Sequence, residues 1–382
     1  MQSSYKRLGK YIRLVKVKNT DDSVKELLGI NIDKYFMPSV ANIVGTDLSK
    51  YQIVQKNQFA CNRMHVGRDY RIPVAKSNSD APFIVSPAYD VFEIIDESIL
   101  LPDYLMLWFK RREFDRNAWF YTDADVRGGL HWKAFINMQL PIPSHEKQKE
   151  LIAEYEAVEN RIQLNKKLCA TLEETAQTIY KHWFEDFEFP DESGKPFKSS
   201  GGEMVECEEL GKEIPKGWRA GFMGDIYDFQ YGKGNVNPDN DGVFPVYGSN
   251  GIIGGFTEYN NEDAPVIGHI GINCGVLVFA YGKHFVTYNG VMCNIKRKEL
   301  KYYGYQMLKS KDLMSQTRGS SQPFVSYDML NEVKTLLSDD TVSLKFEKIC
   351  ETIFDKAQIL MKQTQKLEEL KSLLLGKMAV EV

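Results

Sequence analysis

Three arginines fall within the nine residues Arg63-Met64-His65-Val66-Gly67-Arg68-Asp69-Tyr70-Arg71. A guanidinium is a planar fork of N–H donors that fits a phosphate, or the paired acceptors on the guanine edge. Set among glycine and aromatic residues, Arg63, His65, Arg68 and Arg71 are candidate nucleic-acid contacts, with an ordinary solvated charged face as the competing reading. Two other segments carry a glycine-flanked arginine: Arg127-Gly128-Gly129, followed by His131, Trp132 and Lys133, and Arg318-Gly319-Ser320-Ser321-Gln322. Side-chain and backbone donors side by side suit a phosphate backbone, which adds Arg127, Lys133, Arg318, Ser320 and Gln322. An Arg-Gly turn can also be purely structural, yet the two segments occupy matching places ahead of Asn137 and Asn331. The glycine-rich runs Gly232-Lys233-Gly234 and Gly248-Ser249-Asn250-Gly251 could turn backbone amides toward phosphates, although glycines in a β-rich region first serve tight turns. Lys233, Asn250 and Lys283 complete the candidate DNA-binding set.

Other chemistry is missing. No G-x-x-x-x-G-K-[ST] loop is present, so nucleotide hydrolysis is not expected, and no N-P-P-[YF] run of the kind that holds a base for amino-methylation occurs. The six histidines never pair with each other or with cysteine at zinc-ligand intervals. Pro190-Asp191-Glu192 with Lys195 faintly resembles a nuclease carboxylate cluster but lacks strand context, and His182 beside Trp183 reads as a packed or solvated side chain. No catalytic residue and no metal site are expected.

The elements that would position such loops announce themselves by repetition. Apolar positions in steps of four and three run through Leu151, Tyr155, Val158, Ile162, Asn165, Cys169, Leu172, Ala176, Ile179 and Trp183. The same steps run through Phe346, Cys350, Ile353, Ala357, Leu360, Thr364, Leu367, Lys371 and Leu374. Corresponding positions lie about 195 residues apart, and Leu172-Glu173-Glu174 recurs as Leu367-Glu368-Glu369. A heptad stripe needs burial, and the other copy is its natural partner. Two helices of roughly 30 to 35 residues, about 45 to 50 Å each, should pair antiparallel, because the intervening chain can fold and return. Leu151, Tyr155, Val158, Ile162, Leu172 and Ile179 should meet Phe346, Ile353, Leu360, Leu367 and Leu374. Asn165, Thr364 and Lys371 would fix register.

The remaining chain divides accordingly. Residues 1–143 form a first domain, 144–189 a long helix, 190–216 a polar, glycine-rich linker, 217–337 a second, β-dominated domain and 338–382 a second long helix. Tyr51–Val54 and Phe83–Val85 read as strands, Pro102 opens a helix, Ser144 caps the first long helix, and Leu300–Leu313 reads as helical. The chain has 382 residues, 43% apolar and 26% charged, with a net charge of −4, as a soluble globular protein would. The first 140 residues carry roughly +4, residues 141–200 and 201–345 roughly −4 each, and the last helix is about neutral, so one face could meet DNA and another protein. No run of apolar residues is long enough to span a membrane, no signal peptide is evident, and the six cysteines show no paired spacing. A cytoplasmic location is expected.

This layout resembles the specificity subunit of type I restriction-modification systems. The matching residues are Leu140-Pro141-Ile142-Pro143 leading into His145-Glu146-Lys147-Gln148, the seam to Trp183, Pro245–Gly254, Ser320-Ser321-Gln322-Pro323-Phe324 and Leu367-Glu368-Glu369-Leu370. The resemblance implies an α+β protein: two mixed α/β target-recognition domains joined by two long helices in an antiparallel coiled coil. It also implies a non-catalytic DNA-reading subunit that binds no cofactor itself. Its partners would be double-stranded DNA, modification subunits that use S-adenosylmethionine, and a restriction/translocase subunit that uses ATP and magnesium. One departure is Leu336-Leu337-Ser338-Asp339-Asp340, which lacks the prolines and the Glu-Gln pair that the family carries ahead of the second helix. Two other classes fit the bare sequence: a coiled-coil scaffold with protein- or glycan-binding heads, and a DNA-modifying enzyme with built-in recognition.

Overall fold

The computed structural model describes residues 5–39, 45–64, 66–122, 128–234, 238–239, 242–315, 317–318 and 323–379. The chain folds as two units, Met1–Leu164 with Thr364–Val382, and Asn165–Gln363. The fold is α+β, and both units use one plan.

The first unit contains a four-stranded antiparallel sheet in the order Ile12–Val15, Asp90–Ile94, Phe59–Cys61, Val74–Lys76. The second contains Tyr227–Tyr231, Gly290–Ile295, Asn261–Gly268, Leu277–Val286 in the same order. It then extends the sheet with the Phe244–Gly248 and Gly251–Phe256 hairpin, whose first strand joins parallel to Leu277–Val286. In each unit a helix follows the sheet, Pro102–Phe109 in the first and Lys301–Lys309 in the second. Each then closes through a short helix, Trp132–Asn137 or Tyr327–Asn331, and a strand that returns to the start of the region. Gln139–Pro141 pairs with Tyr5–Arg7, and Lys334–Leu337 pairs with Arg219–Phe222. Even the flanking bond is repeated: Leu8 N–H donates to Met138 O and Met223 N–H to Val333 O, both at 2.8 Å. The second closing strand forms without prolines, because a strand on a sheet edge needs β-compatible side chains rather than a fixed φ.

The long helices span His145–Phe184 and Asp340–Lys377, 40 and 38 residues, longer than expected. Ser144 Oγ accepts from Lys147 N–H at 3.3 Å, the anticipated cap. Among the described residues no helix is long and apolar enough to cross a membrane. Every seam position named above is buried or half-buried. Inside the second unit the pairing is antiparallel: Asn165 Nδ2 donates to Gln363 Oε1 at 3.0 Å, Cys169 Sγ meets Ala357 O at 3.6 Å, and Trp183 packs on Phe346. As numbers rise on one helix they fall on the other. In the first unit Leu151 and Tyr155 share a core with Met378, and Glu159 pairs with Lys371 at 3.0 Å.

Two expectations need correction. Residues 190–216 are not a bare linker: Met204–Cys207 and Lys212–Pro215 form a hairpin, and Phe189 stacks between Phe197 and Trp218. Phe197, Met204, Cys207, Leu210 and Ile214, scattered through a polar stretch, pack into the core of the second unit and dock it. The helix read as Leu300–Leu313 ends at Lys309, where Ser310 Oγ donates back to Met307 O and the chain turns to bury Leu313.

Candidate nucleic-acid interface

In the first unit the two segments that carry Gly67 and Gly128, far apart in sequence, come together. Gly67 N–H donates to Gly128 O at 2.8 Å and Leu130 N–H to Arg63 O at 2.9 Å. A side chain at Gly67 would meet Gly128 Cα at 2.7 Å, so the chain crosses itself where only glycines fit. The loop is anchored behind by Asp115, whose Oδ1 accepts from Ile72 N–H at 3.2 Å and from buried Lys34 at 2.7 Å. Burial lowers the Lys34 pKa, and the Asp115 charge opposes that shift.

The individual arginines differ. Arg63 is mostly buried: its Nε binds Asp90, its Nη1 donates to Leu130 O, and its guanidinium lies 5.7 Å from the Trp132 ring. Arg68 and Arg71 are exposed, each with an acid beside it, Asp69 at 2.6 Å and Asp33 at 2.7 Å. Lys133 is exposed on the short helix. His65 and Arg127 lie outside the described residues.

Sequence reading missed two features here. Lys16, Lys18 and Lys50 line a groove with Arg63, Tyr89 and Asp90, and the Lys16-Val17-Lys18 alternation at a strand end was the available signal. Exposed Trp119, Phe120 and Tyr121 end the Arg112–Phe120 helix, and Tyr70 packs edge-on to Trp119 with ring centroids 5.3 Å apart. Exposed aromatics among arginines offer apolar contact for base edges in a duplex groove. Three consecutive aromatics after Arg116 are the signal in the sequence for this surface.

In the second unit the corresponding region gathers around His269. Arg318 is exposed, and its backbone exchanges both hydrogen bonds with Phe324, at 3.0 and 2.8 Å. Phe324 also bridges to Ile270. Tyr231, Tyr288 and Tyr327 pack nearby, with the ring of Tyr231 4.4 Å from His269. Lys233 is exposed, with its N–H bound to Val286 O at 3.0 Å, and Asn250 is exposed in the Ser249-Asn250 turn. Gly232 is structural, since an added Cβ would lie 2.1 Å from Thr287 O. Lys283 sits 4.6 Å over the Tyr259 ring and opposite Glu262 in the strand register. Ser320 and Gln322 lie outside the described residues. No group of three or more histidine, cysteine or acidic side chains is placed to hold a metal ion among the described residues.

Two topologically equivalent α/β regions, each followed in sequence by a long helix, define a duplicated two-headed protein. No family model matches the chain. In sequence it is similar to the type I restriction enzyme MjaIX specificity subunit of Methanocaldococcus jannaschii, 23% identical over 319 residues, which cover 75% of this chain and 70% of that protein. It is also 29% identical over 110 residues to the HindI specificity subunit of Haemophilus influenzae, 28% of this chain and 23% of that one. The crystal structure of the type I restriction-modification S subunit from M. genitalium covers 98% of this chain and 95% of its own with a TM-score of 0.54 at 18% identity, a likeness of fold. The chain is therefore similar in sequence to type I specificity subunits and shares their fold.

Proposed function

We propose that this chain is the DNA-reading specificity subunit of a type I restriction-modification complex. Each α/β region reads one half of a bipartite target, and the paired helices set the interval between the halves. The observation that carries this reading is the repeated sheet order with unlike surface side chains: the same frame presents Arg68, Arg71 and an aromatic group in one copy, and Arg318 with a tyrosine group in the other. Unlike faces imply unlike half-sites, so the target is asymmetric. A 40-residue helix is about 60 Å long, and duplex DNA rises ~3.4 Å per base pair, so helices of this scale suit a gap between half-sites. Recognition is this chain's own contribution, without catalysis. Methyl transfer from S-adenosylmethionine belongs to modification subunits, and ATP- and magnesium-dependent translocation and cleavage to a restriction subunit, the division of labour that the family resemblance implies.

Two measurements test this. A duplex titration across salt concentrations should show affinity falling steeply as salt rises, with log K linear in log salt; salt-independent binding would point to a scaffold instead. Sequencing the methylome of cells with and without this protein and its methylating partner should return a two-part, non-palindromic motif. A palindromic motif, or none, would overturn the reading.

A further inference from the structure

In each region the residue that leaves the third strand of the shared sheet order grips, in both directions, the residue two positions ahead of the short helix. Arg63 O accepts the Leu130 N–H at 2.9 Å while Arg63 Nη1 donates to Leu130 O. His269 O accepts the Val325 N–H at 3.0 Å while His269 Nδ1 is bonded to Val325 O at 2.7 Å. A carbonyl only accepts, so Nδ1 carries the proton. A second bond flanks each clamp, from Gly67 N–H to Gly128 O at 2.8 Å and from Gly271 N–H to Pro323 O at 2.9 Å. Arginine and histidine share neither shape nor charge behaviour, yet they make the same reciprocal bond to equivalent residues.

What else these side chains touch narrows their role. Arg63 Nε donates to Asp90, and its guanidinium lies 5.7 Å from the Trp132 ring. His269 is 6% exposed, between Tyr231 and Tyr288. Neither is exposed as Arg68 and Arg318 are. What each does hold is a segment, 128–130 in one region and 323–325 in the other, and the second of these fixes the Arg318 backbone through Phe324.

We infer that Arg63 and His269 are a matched pair of positioning residues that fasten segments 128–130 and 323–325 to their sheets and so sharpen base discrimination in their respective half-sites. The inference rests on the DNA-reading function proposed above. Readers held in place before binding lose less entropy on contact and discriminate better. The salt slope of non-specific binding depends on the number of phosphates contacted, and a clamp residue turned inward contacts none.

The test uses the full chain and a randomised duplex pool from which bound sequences are enriched and read. Arg63→Met should lower discrimination about tenfold in one half of the enriched motif, with the other half and the salt slope on the unselected pool unchanged. His269→Phe should do the same to the opposite half, and His269→Asn, which restores an N–H donor, should recover it. Without DNA, amide hydrogen exchange should quicken in the peptide carrying Leu130 for Arg63→Met, and more mildly for Arg63→Lys, and in the peptide carrying Val325 for His269→Phe. A salt slope reduced by about one in Arg63→Met would make Arg63 a phosphate contact, and unchanged exchange in these peptides would remove the clamp. If the parent chain enriches no motif, the DNA-reading function itself fails, while the exchange measurements still decide whether the clamp exists.

Discussion

In the first region the helix Pro102–Phe109 is closed at its N-terminus by a neutral amide: Gln148 Oε1 accepts from Leu101 N–H at 2.9 Å, and its Nε2 donates to Ile99 O and Pro143 O. In the second, the equivalent helix Lys301–Lys309 is closed by a carboxyl group, Glu347, which accepts from Tyr302 N–H at 3.0 Å and Tyr303 N–H at 2.7 Å. Both side chains come from the long helices and both are buried. The plan needs an acceptor at that spot, but whether the acceptor can ionise is left to each copy. Duplication preserved the hydrogen-bond requirement and let the side chains that meet it diverge.

The comparison breaks most visibly in the helix pair. Phe346 is fully buried against Tyr180, Trp183 and Phe184, whereas its counterpart Leu151 shares the other core with Tyr155 and Met378. Phe346→Ala should cost about 3–5 kcal/mol and Leu151→Ala about 2–4. Urea unfolding of the two variants measures this, and equal losses would mean that the aromatic cluster adds nothing beyond ordinary burial.

The capping difference predicts a pH dependence confined to one region. Burial pushes the Glu347 carboxyl up to about 7 from its ordinary 4.5, against the pull of the Tyr303 and Tyr302 N–H groups. Because the folded-state value lies above the unfolded one, the folded form holds the proton more tightly. That stabilisation is complete below about 4.5 and is lost as pH rises through about 7. Between about pH 5 and pH 8 the wild type should lose on the order of 3 kcal/mol relative to Glu347→Gln. Parallel stability-pH curves for the two proteins would contradict the assignment.

How much of this could be read from the chain depends on the range of the forces involved. The twin helices were legible because a heptad stripe is a local, repeated pattern, and Leu172-Glu173-Glu174 marked the duplication. Glu173 then anchors Tyr305 and Lys309, which no local pattern announces. The Arg63 and Arg127 segments could each be picked out by composition, but their meeting through Gly67 and Gly128 is a long-range contact without a periodic signature. Composition also could not tell inward-turned Arg63 from exposed Arg68, since that difference lies in Asp90 and Leu130, distant in sequence. The hairpin in residues 190–216 has no legible pattern because its docking relies on a few isolated apolar side chains, Met204, Cys207, Leu210 and Ile214.

The glycines that cross the two clamps sharpen the comparison at smaller scale. At Gly67 an added Cβ would press on Gly128 Cα at 2.7 Å, while at Gly271 it would meet nothing within 4 Å and only the positive φ of 85° resists it. Gly67→Ala should therefore cost about 2–3 kcal/mol by steric displacement and Gly271→Ala about 1 by backbone strain. Melting temperatures rank them, and a larger loss at Gly271 would show that its segment is the more constrained.

The smallest expected effect separates polar from apolar contributions to the helix seam. Lys371 occupies a seam position that carries a hydrophobic residue in most heptads, and it is held between Glu159 at 3.0 Å and Glu368 at 2.7 Å, all three partly exposed. In the second unit the seam is instead crossed by Asn165 and Gln363. A half-exposed ion pair is screened and costs side-chain entropy, so Glu159→Gln should change stability by only about 0.5 kcal/mol, and less still at high salt. Asn165→Leu acts in the opposite sense: Asn165 is buried with its Oδ1 unpartnered, so replacing it should stabilise by about 1 kcal/mol while loosening the register that the amide pair selects. A loss of stability in Asn165→Leu would instead mean that the amide bond outweighs the stranded oxygen. The polar seam residue would then be a net support in one unit and close to neutral in the other.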